Sequence, residues 1–155
     1  MGLVSAGLLV HRNGSLELEV FLAHPGGPYF ARKDENSWTI PKGAPLEGEE
    51  LLAAALREFA EEIGFVPSGT PEELGSVRQR SGKQVHAWAV AATLPPDFVL
   101  QSNEFELEWP PGSGKLKRYP EIDRAQFFPL SVAEQKIIPA QKPFLERLAL
   151  RLKAP

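Results

Sequence analysis

The stretch Gly43 to Phe65, GAPLEGEELLAAALREFAEEIGF, constrains this chain more than any other. From about Glu49 to Ile63 it is rich in Ala, Leu and Glu and holds neither Pro nor Gly. It stops at Gly64, the residue type that closes helices in the left-handed conformation, and so predicts a helix over 49–63. Leu52, Ala55, Leu56, Phe59 and Ile63 recur at three- and four-residue steps and form the stripe expected to be buried. Glu58 and Glu62 are four apart, and Glu61 is three from Glu58. At about 100° per residue all three carboxylates emerge on one side, bordering the apolar stripe.

Like charges at this spacing repel by a few tenths of a kcal/mol per pair in water, and by more where the core edge lowers the dielectric. Arg57 is placed to pair with Glu61 at i+4 and with Glu49 across the preceding loop, but one guanidinium cannot neutralise the whole set. A hard divalent cation can, and all-oxygen ligation suits Mg²⁺ or Mn²⁺. The competing reading is a solvated charged face, the ordinary fate of a bare Glu-Glu pair.

Composition bounds the alternatives. With 155 residues, 43% of them hydrophobic and 24% charged, the chain reads as one soluble globular domain over 1–155. A net charge of −3 offers no general attraction for nucleic-acid polymers or anionic membranes, so no DNA polymer is expected as a partner and phosphate binding must be local. The absence of Cys excludes disulfides, thiolate nucleophiles and Cys-ligated zinc. His11, His24 and His86 lie too far apart for ligand spacing, and no apolar run approaches a membrane span. A cytoplasmic location and a monomer or homodimer are the default expectations.

Along the chain, the apolar run Leu3 to Val10, the turn dipeptide Asn13-Gly14 and the alternating run Leu16 to Ala23 predict a hairpin. His24 to Ser37 reads as a loop, and Trp38 to Ile40 as a short strand entering Pro41-Lys42-Gly43. Leu74 to Arg80 and Gln84 to Thr93 predict strands joined by Ser81-Gly82-Lys83. Pro95 to Arg118 is polar and punctuated by Pro and Gly, with one alternating piece at Phe105 to Trp109. Ile122 to Leu130 predicts a last strand. Ser131, three before Glu134, suggests a capping box, and Leu145, Leu148, Ala149 and Leu152 mark a C-terminal amphipathic helix over 143–152. Strands on both sides of a central helix, then a closing helix, imply a mixed sheet packed between helices.

Nine spaced positions, Gly43, Glu49, Arg57, Glu58, Phe59, Glu61, Glu62, Gly64 and Phe65, resemble the Nudix box, G-x5-E-x7-R-E-U-x-E-E-x-G-U with U bulky and apolar. The lead-in Trp38, Ile40, Pro41, Lys42, Gly43 and the acidic-then-aromatic strand near Phe127 extend the likeness, which is closest to diadenosine-polyphosphate hydrolases and predicted NTP pyrophosphohydrolases. The resemblance implies an α/β class, Nudix-type α/β/α sandwich. It also implies a metal-dependent hydrolase that cleaves a diphosphate linkage in a small nucleotide by water attack at phosphorus. Carried over by position, Glu58, Glu61 and Glu62 are the expected metal ligands and catalytic carboxylates, with the backbone carbonyl beside Gly43 completing the shell. Glu49 and Arg57 would hold the motif in shape. The family also places a distal Glu opposite the helix; Glu121, six before Phe127, is the first choice, Glu106 the second, and Glu104 and Glu108 read as exposed charges.

For substrate contact, Lys42 suits a phosphate oxygen, with Arg32, Lys33, Arg78, Arg80 and Lys83 as further cations. Trp38, Trp88, Phe105, Trp109 and Tyr119 are possible stacking platforms, although an aromatic on a strand more often belongs to the core. Arg80 and Trp88 are the picks from these two groups. Two other functions fit the family: removal of a 5′ diphosphate or cap from RNA, disfavoured by the acidic balance and the lack of a basic run, and a ligand sensor without turnover, disfavoured by the intact glutamates.

Overall fold

The computed structural model describes residues 3–95 and 97–153. Its first two strands, β1 (Val4–Asn13) and β2 (Leu18–Pro25), form the predicted antiparallel hairpin with His11 opposite Val20. The connection is four residues rather than a tight dipeptide turn, closed by the Gly14 N–H donating to the Glu17 carbonyl at 3.0 Å, and it leaves Leu16 in solvent.

The period-two alternation of these strands separates two cores. Ala6, Leu8, Val10 and Phe21 face one side of the sheet, and Leu9, Val20 and Leu22 face the other. On the first side lies α1 (Leu51–Ile63), whose Ala54, Ala55, Phe59 and Ile63 are buried; Leu52, expected in the stripe, is only half-buried. On the second lie α2 (Leu130–Lys136) and α3 (Lys142–Lys153), bringing Ala133, Phe144, Leu145 and Leu148. The result is an α/β/α sandwich.

The main sheet is mixed. β4 (Glu72–Arg78) pairs antiparallel with β5 (Gln84–Ala91), β5 runs parallel to β1, and β8 (Ile122–Pro129) pairs antiparallel with β2 in a register that sets Phe21 opposite Phe127. β3 is only Lys42–Gly43, with Gly43 opposite Ala6. The strand expected at Trp38 to Ile40 reduces to single bridges from Thr39 to Ala23 and from Trp38 to Ile137. Pro41 has no N–H to give a ladder, so regular pairing resumes only after it.

Three further expectations are corrected. The polar segment after Pro95 contains two strands, β6 (Glu104–Glu108) and β7 (Leu116–Pro120), which form a separate two-stranded sheet. β7 is mostly exposed and carries no buried stripe, so only its partner defines it. At the start of α2, Ser131 and Glu134 make no capping box: Glu17, from the β1–β2 connection, accepts the Ser131 N–H at 2.7 Å and its hydroxyl at 3.1 Å. In α3, Phe144 replaces Leu152 in the buried stripe; Leu152 is 48% exposed, past the end of the surface it was expected to cover.

Candidate functional site

The helix α1 ends at Gly64, in the left-handed conformation with φ 76°, so Glu58 and Glu62 sit in its last two turns, where they meet β3. The Glu58 carboxyl group lies directly against the Cα of Gly43: a Cβ there would come within 2.5 Å of Oε1 and closer still to Cδ. Glycine at 43 is thus a steric requirement of the carboxylate's position. Arg57, one residue earlier on the helix, clamps the loop. Its guanidinium donates to both Glu49 carboxylate oxygens at 2.9 Å, to Glu58 at 3.0 Å, to the Ala44 carbonyl at 3.2 Å and to Glu61 at 3.3 Å. The expected pairings with Glu49 and Glu61 are both present. The guanidinium, with the Leu46 N–H, holds the Glu49 carboxyl down at about 2.

Glu62 is 5% exposed, and its Oε2 has no hydrogen-bond partner among the described residues. Burial, then the charges of Glu58 and Glu121, push its carboxyl up to about 8. Glu121, at the start of β8, faces the same cavity, and burial together with Glu58 raises its carboxyl as well. Opposite stands Lys42, whose ammonium is pushed down to about 8 by burial and by Lys83, against the opposing pull of Glu62. The cavity, about 180 Å³, is lined by Ala23, Pro25, Thr39, Ile40, Pro41, Lys42, Glu62, Glu121 and Ile122.

Glu58, Glu62, Glu121, Lys42 and Gly43 therefore converge. Glu61 does not: it is turned onto Arg57 and half exposed, away from the buried pair. Glu104 and Glu106 are spent on Arg118 at 3.2 and 3.3 Å in the β6–β7 hairpin, so neither lines the cavity. Arg80 lies in the exposed β4–β5 turn, and Lys83 is the cation of that turn whose charge reaches Lys42. Trp88 packs on the flank of the α1 core rather than in the cavity, and Trp38 is buried on the opposite side of the sheet.

Sequence reasoning missed a brace. The Gln101 N–H donates to the Glu62 carbonyl at 3.1 Å, the Ser102 hydroxyl accepts the Ile122 N–H at 2.8 Å, and the Asn103 carbonyl accepts the Glu121 N–H at 2.8 Å. Three consecutive residues thus tie the end of α1 to the start of β8 and set the separation of Glu62 and Glu121. Two of these are backbone–backbone contacts and the third uses the Ser102 hydroxyl, all made by an irregular segment that no periodic side-chain pattern announces.

The fit to a divalent cation rests on the unpartnered, buried oxygen of Glu62 and on the carboxylates pressed around it. Carboxylates crowded at a buried edge form a donor set for a hard cation. Among the described residues no three acidic or imidazole side chains already stand at mutual ligand spacing. The donors form an open set, which suits an ion that keeps several waters.

With this geometry in view, comparisons with known proteins identify the family. The chain is similar over 96% of its length to 97% of a C. elegans Ap4A hydrolase, at 22% identity and TM-score 0.70. It is similar over 99% of its length to 90% of the NUDIX domain of Shewanella oneidensis NrtR, solved with ADP ribose, at 18% identity and TM-score 0.71. A third solved structure, the MutT protein of Methanosarcina mazei, matches at 19% identity and TM-score 0.62, covering 98% of this chain and 96% of its own. At these identities the likeness is one of fold. No curated protein sequence matches the chain. The NUDIX domain model matches residues 3–148, nearly the whole chain, so the protein belongs to the Nudix family and is a Nudix hydrolase, of the class acting on phosphorus-containing anhydrides.

Proposed function

We propose that this protein is a Mg²⁺- or Mn²⁺-dependent pyrophosphohydrolase acting on a small nucleotide: a dinucleoside polyphosphate, an NTP or a nucleoside diphosphate linked to a second moiety. In this reading residues 1–155 act as one domain in the cytoplasm. The observation that carries it is the buried, unpartnered Glu62 oxygen facing Glu121 and Lys42 across one cavity. The likeness to an Ap4A hydrolase and to an ADP-ribose-bound NUDIX domain supports a nucleotide as ligand.

Glu58 and Glu62 would hold the cation, with the backbone carbonyl beside Gly43. When bound, it supplies neutralisation of the phosphate oxygens and a lowered pKa for water. The chain's own groups do the rest. Glu121, its carboxyl raised by burial and by Glu58, accepts the proton of the attacking water, a role worth about 10²–10⁴ in rate. Lys42 donates to a phosphate oxygen, where negative charge builds in the transition state. Arg57 and Glu49 keep Glu58 in place, and the Gln101 to Asn103 brace keeps Glu121 in reach.

The test is hydrolysis of a panel of dinucleoside polyphosphates, NTPs and nucleoside diphosphate derivatives in H₂¹⁸O with and without Mg²⁺, with product identification. Solvent label in a phosphate-bearing product of diphosphate cleavage, abolished by EDTA, is expected. Label confined to inorganic phosphate released from a monoester would assign a phosphatase instead.

A further inference from the structure

The chain is acidic overall, at net −3, yet folding gathers cations beside the site. Two arms extend past Glu121: the loop from Gly26 to Lys33 and the β6–β7 hairpin. They are fastened together at their base. The Gly26 N–H donates to the Glu121 carbonyl at 2.9 Å, and a Cβ on Gly26 would overlap the Pro120 carbonyl oxygen. A Cβ on Gly27, at φ 98°, would stand 2.9 Å from the Phe105 ring.

Farther out, Tyr29 meets Trp109 edge to face with ring centroids 5.2 Å apart, and Tyr29 is still 56% exposed. The Lys33 ammonium lies 5.4 Å from the ring of Phe30, itself 36% exposed. Lys115 accepts the Trp109 N–H on its carbonyl, and Lys117 stands opposite Leu107 on the hairpin. Arg118 is engaged with Glu104 and Glu106, whereas Arg32, Lys33, Lys115 and Lys117 have no ion-pair partner among the described residues. Among the described residues the one acid of these arms without a basic partner is Glu108, which accepts the Gly112 N–H.

β7 runs directly into Glu121, so at about 3.3 Å per residue Lys115 lies about 20 Å from it. That span exceeds one nucleotide whose phosphates rest at the carboxylates. We propose that the arms form a subsite for a second nucleotide unit, attached on the far side of the diphosphate, with its base on Tyr29 and Trp109 and its phosphates against Arg32, Lys33, Lys115 and Lys117. The proposal rests on the pyrophosphohydrolase reading above. Exposed aromatics interleaved with unpaired cations are the chemistry that binds base and phosphate together. The second unit is supplied either by a dinucleoside polyphosphate or by the leading residues of an RNA strand.

The experiment compares the wild-type chain with Tyr29→Ala and with Lys115→Gln/Lys117→Gln on three substrates: an NTP, a dinucleoside tetraphosphate and a 5′-triphosphorylated oligoribonucleotide. All three positions are surface ones, and circular dichroism and Tm report retained folding. A rise in KM of tenfold or more on a two-unit substrate, with NTP kcat/KM held within twofold, is the expected result. The substrate affected names the source of the second unit. Equal losses on all three, or no loss on either two-unit substrate, overturn the proposal. If the wild type hydrolyses none of them and no nucleoside diphosphate derivative either, the pyrophosphohydrolase reading fails. Fluorescence polarisation of a 5′-hydroxyl oligoribonucleotide then decides the arms separately: binding weakened by Lys115→Gln/Lys117→Gln and by added salt supports them, and unchanged binding overturns them.

Discussion

The Cα of Gly43 and the carboxyl group of Glu58 occupy adjoining space with no room for a methyl group between them. The glycine and the glutamate, fifteen positions apart in sequence, form one packing unit. Gly43→Ala must displace Glu58 or shift β3 against β1. Activity should fall by at least tenfold, with a lower Tm. Gly43→Ala/Glu58→Ala should recover Tm toward wild type while remaining inactive, because the clash is removed along with the ligand. A double variant no more stable than Gly43→Ala would show that the glycine serves the backbone instead.

The pH dependence of the metal-free protein follows from Glu62. Its carboxyl, ordinarily near 4.5, is raised to about 8 in the folded state, so the native state holds the proton more tightly. That contribution is fully present below about 4.5 and is lost as pH rises through about 8. Glu121 acts in the same direction. Lys42, lowered from 10.5 to about 8, imposes a constant cost below 8 and recovers only above it, so it does not offset the loss. In EDTA, Tm should therefore decline between pH 5 and pH 8 more steeply in the wild type than in Glu62→Gln, and Mg²⁺ should restore it at pH 8. Glu62→Gln should keep the fold yet lower kcat by several orders of magnitude. Parallel Tm profiles for the two proteins would refute the assignment.

Arg57 joins Glu49, Glu58, Glu61 and the Ala44 carbonyl through a single guanidinium. Arg57→Ala leaves these groups facing one another and should lower Tm by roughly 3–8 °C as well as activity. Arg57→Lys should recover little, since an ammonium cannot reproduce the two-pronged contact with Glu49. Unchanged melting with lost activity would move Arg57 to the substrate.

Glu121 and Glu106 were rivals for the distal carboxylate, and they now stand in different environments: one lines the cavity, the other pairs with Arg118 on an exposed hairpin. Glu121→Gln should cut kcat by 10²-fold or more with little change in KM, while Glu106→Gln and Glu104→Gln stay near wild type. Ser102→Ala, which removes the acceptor for the Ile122 N–H, should reduce kcat more modestly and shift the basic limb of the pH–rate profile, with Ser102→Thr restoring both. A crippled Glu106→Gln beside an active Glu121→Gln would reverse the choice.

Local periodicity by itself determined the helix, its left-handed stop at Gly64, the Arg57 pairings and the grouping of Glu58 with Glu62, because residues three and four apart share a helix face whatever surrounds them. The runs Leu3 to Val10 and Leu16 to Ala23 likewise marked the hairpin, but which of their side chains enter which core was decided by the helices packed on either side. Tertiary structure decided what depends on partners distant in the chain. It selected Glu121 through the β2–β8 register, buried Glu62 while turning Glu61 to solvent, capped α2 with Glu17, and placed Trp88 on the flank of a core. The brace at Gln101 to Asn103 and the second strand of the exposed hairpin were invisible beforehand for the same reason. Both consist of hydrogen bonds to the backbone and cross-strand contacts, whose partners exist only once the chain has closed on itself.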